Sequence, residues 1–123
     1  MKLQRDTLAD RNLITAYGAG HVDINRQRHE ASLVLLPDQL HTGWAAGGFD
    51  ALGASDFQLI AALAPEIFLL GTGARQRFPA PALLRPLIEA RIGYEIMDLA
   101  AACRTYNVLM LEGRRVAAAL LLE

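Results

Sequence analysis

The apolar residues of this chain fall into short runs, Leu33–Leu36, Ile67–Leu70 and Ala117–Leu122 among them, each bounded by Gly, Pro, Asn or charged residues. Short uninterrupted runs are the pattern of strands buried on both faces, as in a covered, mainly parallel sheet. None approaches the roughly 18 residues of a membrane-spanning helix. The first third reads as a β-meander. Strands are expected at 13–18, 22–25 and 30–36, with turns at Gly18–Gly20 and Asn25–Arg28, and Pro37-Asp38 closes the meander. LHTGWAA (40–46) predicts a further strand, and the Gly-rich 47–53 stretch a loop. Ser55, with Gln58 three residues on, has the capping-box pattern of a helix that Ala64-Pro65 ends.

Beyond this point strands and helices alternate. Strand 66–71 precedes a loop, a helix over about 81–91, strand 94–97, helix 98–107 and strand 108–112. Pro86 places a kink, or the helix start, near Arg85. Such alternation implies βαβ crossovers and parallel strands. The helix from 98 could run on through Met110. A strand is preferred there because Asn107 is a good left-handed stop and Val108–Leu111 is continuously apolar. Gly113-Arg114 then reads as a hairpin turn, with 115–122 running antiparallel to its neighbours. The class is α/β: a single domain, residues 1–123, with a central mixed sheet that is mostly parallel, flanking helices and an N-terminal meander forming a second small sheet or an extension of the first.

Composition narrows the function. A domain of 123 residues is large enough for one core and too small for two. Twelve cations against thirteen acidic residues give a net charge of −1, with no footprint for nucleic acid. Eleven of the twelve cations are Arg, a mark of genome composition more than of function. The lone Cys103 excludes an internal disulfide framework and a multi-Cys metal site, and MKLQRDTLADRN lacks the apolar core of a signal peptide. A cytoplasmic protein is therefore expected.

Gly71-Thr72-Gly73 follows a buried strand at the carboxyl end, where open α/β sheets bind ligands. Arg75 and Arg77 would supply charge for an anion there. Gln76 breaks the G-x-G-x-x-G pattern, no P-loop Lys is present, and Phe78-Pro79-Ala80-Pro81 delays the next helix. The loop reads either as a tight structural turn or as a ligand contact. Asp98 is placed to N-cap the helix after it. Arg104, Tyr106, Asn107, Glu112 and Arg115 form a polar cluster among apolar runs. It reads as local scaffolding, with Arg104 paired to Glu95 or Glu112, or as a pocket or docking surface. No catalytic residue, metal site or cofactor is assigned: no nucleophile stands beside a base, and His21, His29 and His41 match no zinc spacing. Cys103 has the place of an inert core thiol. Trp44 and Phe49 flank the Gly-rich loop as core anchors or as an exposed partner patch.

Four strings in order, LLGTG (69–73), IGYEIM (92–97), RTYN (104–107) and EGRRVAAAL (112–120), resemble a widespread small α/β family of unknown biochemical activity, with archaeal, bacterial and eukaryotic members. A mitochondrial assembly factor for respiratory complex I and an adipogenesis-associated cytosolic protein belong to it. The resemblance runs from about Leu13 to Leu122 and implies a three-layer fold around a mixed sheet. The family's Thr after the helix-capping Asp is Leu99 here, so any role of that hydroxyl is lost. The resemblance implies no catalytic residues. It implies a role with protein partners in assembling membrane complexes, which reaches this chain, expected to be bacterial, by analogy. The candidate ligand or partner site is therefore Gly71, Thr72, Gly73, Arg75, Arg104, Tyr106, Asn107, Glu112 and Arg115. A non-enzymatic binding or assembly module is the first expectation. A small-molecule enzyme or sensor, with a pocket at Gly71–Gly73 bordered by Arg75, Arg104 and Tyr106, is the second.

Overall fold

The computed structural model describes residues 10–123. Residues 1–9, which hold most of the stretch read for a signal peptide, lie outside the described part.

Among the described residues, eight strands and three α-helices make three layers. Strands β1 (Ile14–Gly18), β2 (His21–Ile24) and β3 (Gln27–His29) form an antiparallel three-stranded sheet. Strands β4 (Leu33–Leu36), β5 (Gln39–Thr42), β6 (Ile67–Gly71), β7 (Gly93–Met97) and β8 (Val116–Leu120) form the main sheet, in the order β5-β4-β8-β6-β7. The meander thus divides, β1–β3 forming the second sheet and β4–β5 extending the first. The turn expected at Asn25–Arg28 is tighter, with Asn25 and Arg26 in the left-handed region and Gln27 already in β3.

Helix α1 (Ala54–Leu63) starts one residue earlier than Ser55, and its box is made differently. The Asp56 carboxylate accepts the Gly53 N–H at 2.8 Å. Ala64, at φ +52°, and Pro65 end the helix as expected. The segment from Pro81 divides at Arg85 into a 3-10 turn (Pro81–Leu84) and α2 (Arg85–Glu89).

The closing hairpin is not there. Helix α3 runs without a break over Leu99–Leu111, taking in the residues read as a strand at 108–112. The stripe Leu99, Cys103, Tyr106, Met110 keeps one face buried, as helical spacing requires, while Val108 and Leu111 are 56% and 61% exposed. A run that looks doubly buried along the chain is half solvated around the helix. Asn107 does not stop the helix, because its amide is engaged elsewhere. Gly113, at φ +81°, ends it. Since α3 carries the chain back to the starting end of the sheet, β8 runs parallel to β6 and antiparallel only to β4. The sheet is mixed, with two parallel neighbour pairs (β8–β6, β6–β7) and two antiparallel ones (β5–β4, β4–β8).

Alternation along the strands divides the core in two. Leu33, Leu35, Leu69, Ala118 and Leu120 face α3 and the small sheet, whereas Val34, Leu36, Phe68, Leu70, Ala117 and Ala119 face α1 and α2. At the end of β6, Gly71 gives α3 its close approach. A Cβ there would lie 2.9 Å from Ala102 Cβ and 3.3 Å from a Leu120 methyl.

Candidate functional site

The carboxyl ends of β6 and β7 meet the start of α3 and the β1–β2 turn around a cleft of about 380 Å³, walled by Tyr17, Gly20, Gly73, Asp98 and Ala100 among others. This is the place where a parallel sheet offers a ligand site. Several of its polar groups are engaged within the fold. The Asp98 carboxylate accepts the Ala101 N–H at 2.8 Å, and the Leu99 N–H bonds the Gly73 carbonyl at 2.8 Å. Thr72 is fully buried and ties its own loop. Its hydroxyl donates to the Arg75 carbonyl at 2.7 Å and accepts the Arg77 N–H at 2.9 Å, while its N–H bonds the Met97 carbonyl at 2.9 Å. Gly73, at φ +87°, makes the turn. Arg77 wraps the loop, donating to the Thr72 carbonyl at 2.9 Å with its guanidinium 4.4 Å above the Phe49 ring. The Arg75 side chain is exposed beside a separate hollow of about 330 Å³. Arg75, Arg104 and Tyr106 are absent from the walls of the 380 Å³ cleft.

The 104–107 cluster is directed to the small sheet. The Asn107 amide clasps Ile14, accepting its N–H at 3.0 Å and donating to its carbonyl at 2.8 Å. These groups sit beside the irregular step of β1, between Ile14 and Ala16, where ladder pairing with β2 shifts. Tyr106 is fully buried, and its hydroxyl donates to the Asn12 carbonyl at 2.8 Å. Burial pushes its phenol pKa up. Asn12 in turn donates its side-chain amide to the Leu36 and Gln39 carbonyls, at 2.8 and 3.0 Å. Helix, small sheet and main sheet are thereby linked. Arg104 bonds neither Glu95 nor Glu112. It is exposed, with Nη1 donating to the Tyr17 hydroxyl at 3.2 Å.

Glu112 caps the end of α3 and, among the described residues, forms no ion pair. Arg115 joins the start of β8 to two loops. Its Nη1 lies 3.2 Å from Asp38, its Nη2 donates to the Leu63 carbonyl at 3.3 Å, and its N–H donates to Glu66 at 2.8 Å. Asn12 and Glu66 were not singled out in the sequence, where a polar residue beside a strand start is too common to mark a hub. Cys103 is buried, and burial pushes its thiol up to about 12, so it is protonated at neutral pH. Trp44 and Phe49 form no exposed aromatic patch. Trp44 is 4% exposed, with its indole N–H on the Asp56 carbonyl at 3.0 Å, and Phe49 is half-buried under Arg77. Among the described residues no three His, Cys, Asp or Glu side chains gather as a metal site, and no helix is long and apolar enough to cross a membrane.

Fold and contacts together define a small three-layer α/β domain in which a polar seam on the crossover helix holds a separate β-sheet. A family model described as protein of unknown function (DUF498/DUF598) matches residues 14–121, and the chain belongs to that family. It is 33% identical over 110 residues to NADH dehydrogenase (ubiquinone) 1 alpha subcomplex assembly factor 3 from Bos taurus, a match covering 88% of this chain and 59% of that protein. The chain thus spans about three fifths of the length of that relative. A crystal structure of a Bordetella parapertussis protein superposes with TM-score 0.84 at 42% identity, over 92% of this chain and 97% of that one. A Bartonella henselae protein described as an outer membrane protein superposes with TM-score 0.79 at 32% identity, over 90% and 94%.

Proposed function

We propose that this chain is a non-enzymatic binding module that takes protein partners and helps to assemble a respiratory NADH dehydrogenase. The observation that carries the reading is its 33% identity, over most of its length, to a protein named as an assembly factor for that enzyme. The side chains fit a scaffold. The one thiol is buried and protonated, the Thr72 hydroxyl is consumed within its own loop, and Tyr106, Asn107 and Arg115 join elements of the fold. Of the candidate set, the exposed Arg75 and Glu112 are left for a partner in this reading. The cytoplasm, on the face of a membrane-bound enzyme, is the proposed location. Cell fractionation checks it against the outer membrane that describes the Bartonella henselae relative.

The test is affinity capture of the tagged chain from cross-linked cells, followed by mass spectrometry. NADH dehydrogenase subunits enriched above an unrelated bait of equal size support the proposal. Their absence at endogenous expression contradicts it.

A further inference from the structure

We infer that β7 is a docking edge, to which an extended segment of a protein partner, carrying a basic residue, adds as a sixth strand of the main sheet. The inference rests on the binding-module reading for the existence of a partner and goes beyond it in naming where and how the partner binds.

Among the described residues, strand β7 stands at one end of the order β5-β4-β8-β6-β7 and pairs on one side only, with β6. Which backbone groups face outward follows from two bonds. The Met97 carbonyl points toward β6, where it accepts the Thr72 N–H. Since residues alternate along a strand, Tyr94 and Ile96 direct their N–H and C=O groups away from the sheet. The Ile96 carbonyl accordingly accepts a hydrogen bond from outside, at 2.8 Å from the Gln76 side chain. Among the described backbone–backbone bonds none joins 76–81 to β7. That segment cannot supply a full ladder, because Pro79 and Pro81 have no N–H. Between it and the strand lies a groove of about 410 Å³ lined by Phe78, Pro79, Leu84, Tyr94, Glu95 and Ile96. Phe78, 68% exposed, is the most exposed large apolar residue described.

An unpaired edge beside an apolar groove is complementary to an extended chain. Backbone bonds supply affinity, and alternate side chains supply selectivity. Charge selects between a second copy and another protein. Among the described residues, Glu95 is the one charged residue lining the groove. Two β7 strands paired antiparallel about their centres would set Glu95 opposite Glu95, and like charges in that position are destabilising. A strand with Lys or Arg opposite Glu95 and apolar residues over Phe78 and Tyr94 satisfies both surfaces. Gln76 acts as a light plug on this edge, holding one carbonyl that an incoming strand would take over.

The test uses the full chain and a capped heptapeptide alternating valine and threonine with lysine at its centre, read by amide hydrogen exchange in NMR. The expected result is rapid exchange at Tyr94 and Ile96 in the free chain and at least tenfold slowing at saturating peptide. A central glutamate weakens binding tenfold or more, and Glu95→Lys reverses that preference. Gln76→Ala tightens binding a few-fold, and Tyr94→Pro, which removes an outward N–H, abolishes it. Tyr94 is half-buried and its proline variant is the one at risk of misfolding, so the exposed Glu95→Lys keeps the test decisive. No slowing at Tyr94 and Ile96 with millimolar peptide overturns the inference. So does concentration-dependent protection in the peptide-free chain, which would give the edge to a second copy. Capture of NADH dehydrogenase subunits equally by wild type and Glu95→Lys overturns the edge and leaves the assembly reading standing. Peptide binding without any such capture does the reverse.

Discussion

On the face of the main sheet that meets α1 and α2, Trp44, Phe57 and Phe68 make successive edge-on ring contacts at 6.3 Å, around a core of aliphatic side chains. On the opposite face α3 also packs apolar residues, but there it meets strand β1 through Tyr106 and Asn107, whose polar atoms bind Asn12 and Ile14. The two faces differ in what packs beside the helices. Helices α1 and α2 satisfy their own backbones and can pack dry. Strand β1 brings an irregular stretch of backbone to α3, and a half-buried N–H or carbonyl left without a partner costs about 1–3 kcal/mol. A polar cluster on a half-buried helix can therefore mark a join between a helix and a sheet, and need not mark a reaction site.

Substitutions on the two faces should separate these roles. The largest effect is expected on the dry face, where Phe57→Ala should cost about 3–5 kcal/mol through lost burial and a cavity, read as a shifted denaturation midpoint. Next comes the seam, where Asn107→Ala leaves both Ile14 backbone groups poorly satisfied and should cost about 1–3 kcal/mol. A double-mutant cycle with Phe57→Ala should be additive, because the two act on opposite sides of the sheet. Tyr106→Phe keeps the ring and loses one bond, for about 1 kcal/mol.

The pH dependence has a definite sign. The Cys103 thiol is raised by burial from 9.0 to about 12 in the folded chain, so the unfolded chain releases this proton first. Stability is retained below about pH 9 and is lost progressively as pH rises toward 12. Tyr106, also raised by burial, acts in the same direction. Cys103→Ala should flatten the part due to the thiol in melts between pH 8 and 11, and iodoacetamide should leave native Cys103 unmodified at pH 8. The smallest effect is expected at the exposed rim, where Arg104→Ala should leave the melting temperature unchanged within error.

Sequence pattern disclosed the parts of this fold that rest on local rules. The strands at 66–71 and 94–97, the break at Arg85 and the stop at Ala64-Pro65 follow from apolar runs and proline. The end of α3 did not, because Val108 and Leu111 are apolar residues on a solvent-facing surface, and a run containing them imitates a buried strand. Taking that run as a strand sets β8 antiparallel to β6 as well as to β4. The polar residues of the cluster stand out among apolar runs, but their partners do not. Asn12 and Ile14 lie more than ninety positions away, and they offer backbone atoms, which carry no residue-type signal. The β7 edge was equally hidden, since strand order, and with it which strand lies outermost, follows from the three-dimensional connection.

The most direct measurement places melting and capture side by side on Asn107→Ala. If the seam is scaffold and partners bind elsewhere, the melting temperature falls, by roughly 3–6 °C for each kcal/mol lost. Capture of NADH dehydrogenase subunits well below that temperature then matches wild type. An unchanged melting temperature with capture abolished would contradict the account and make Asn107 part of the binding site.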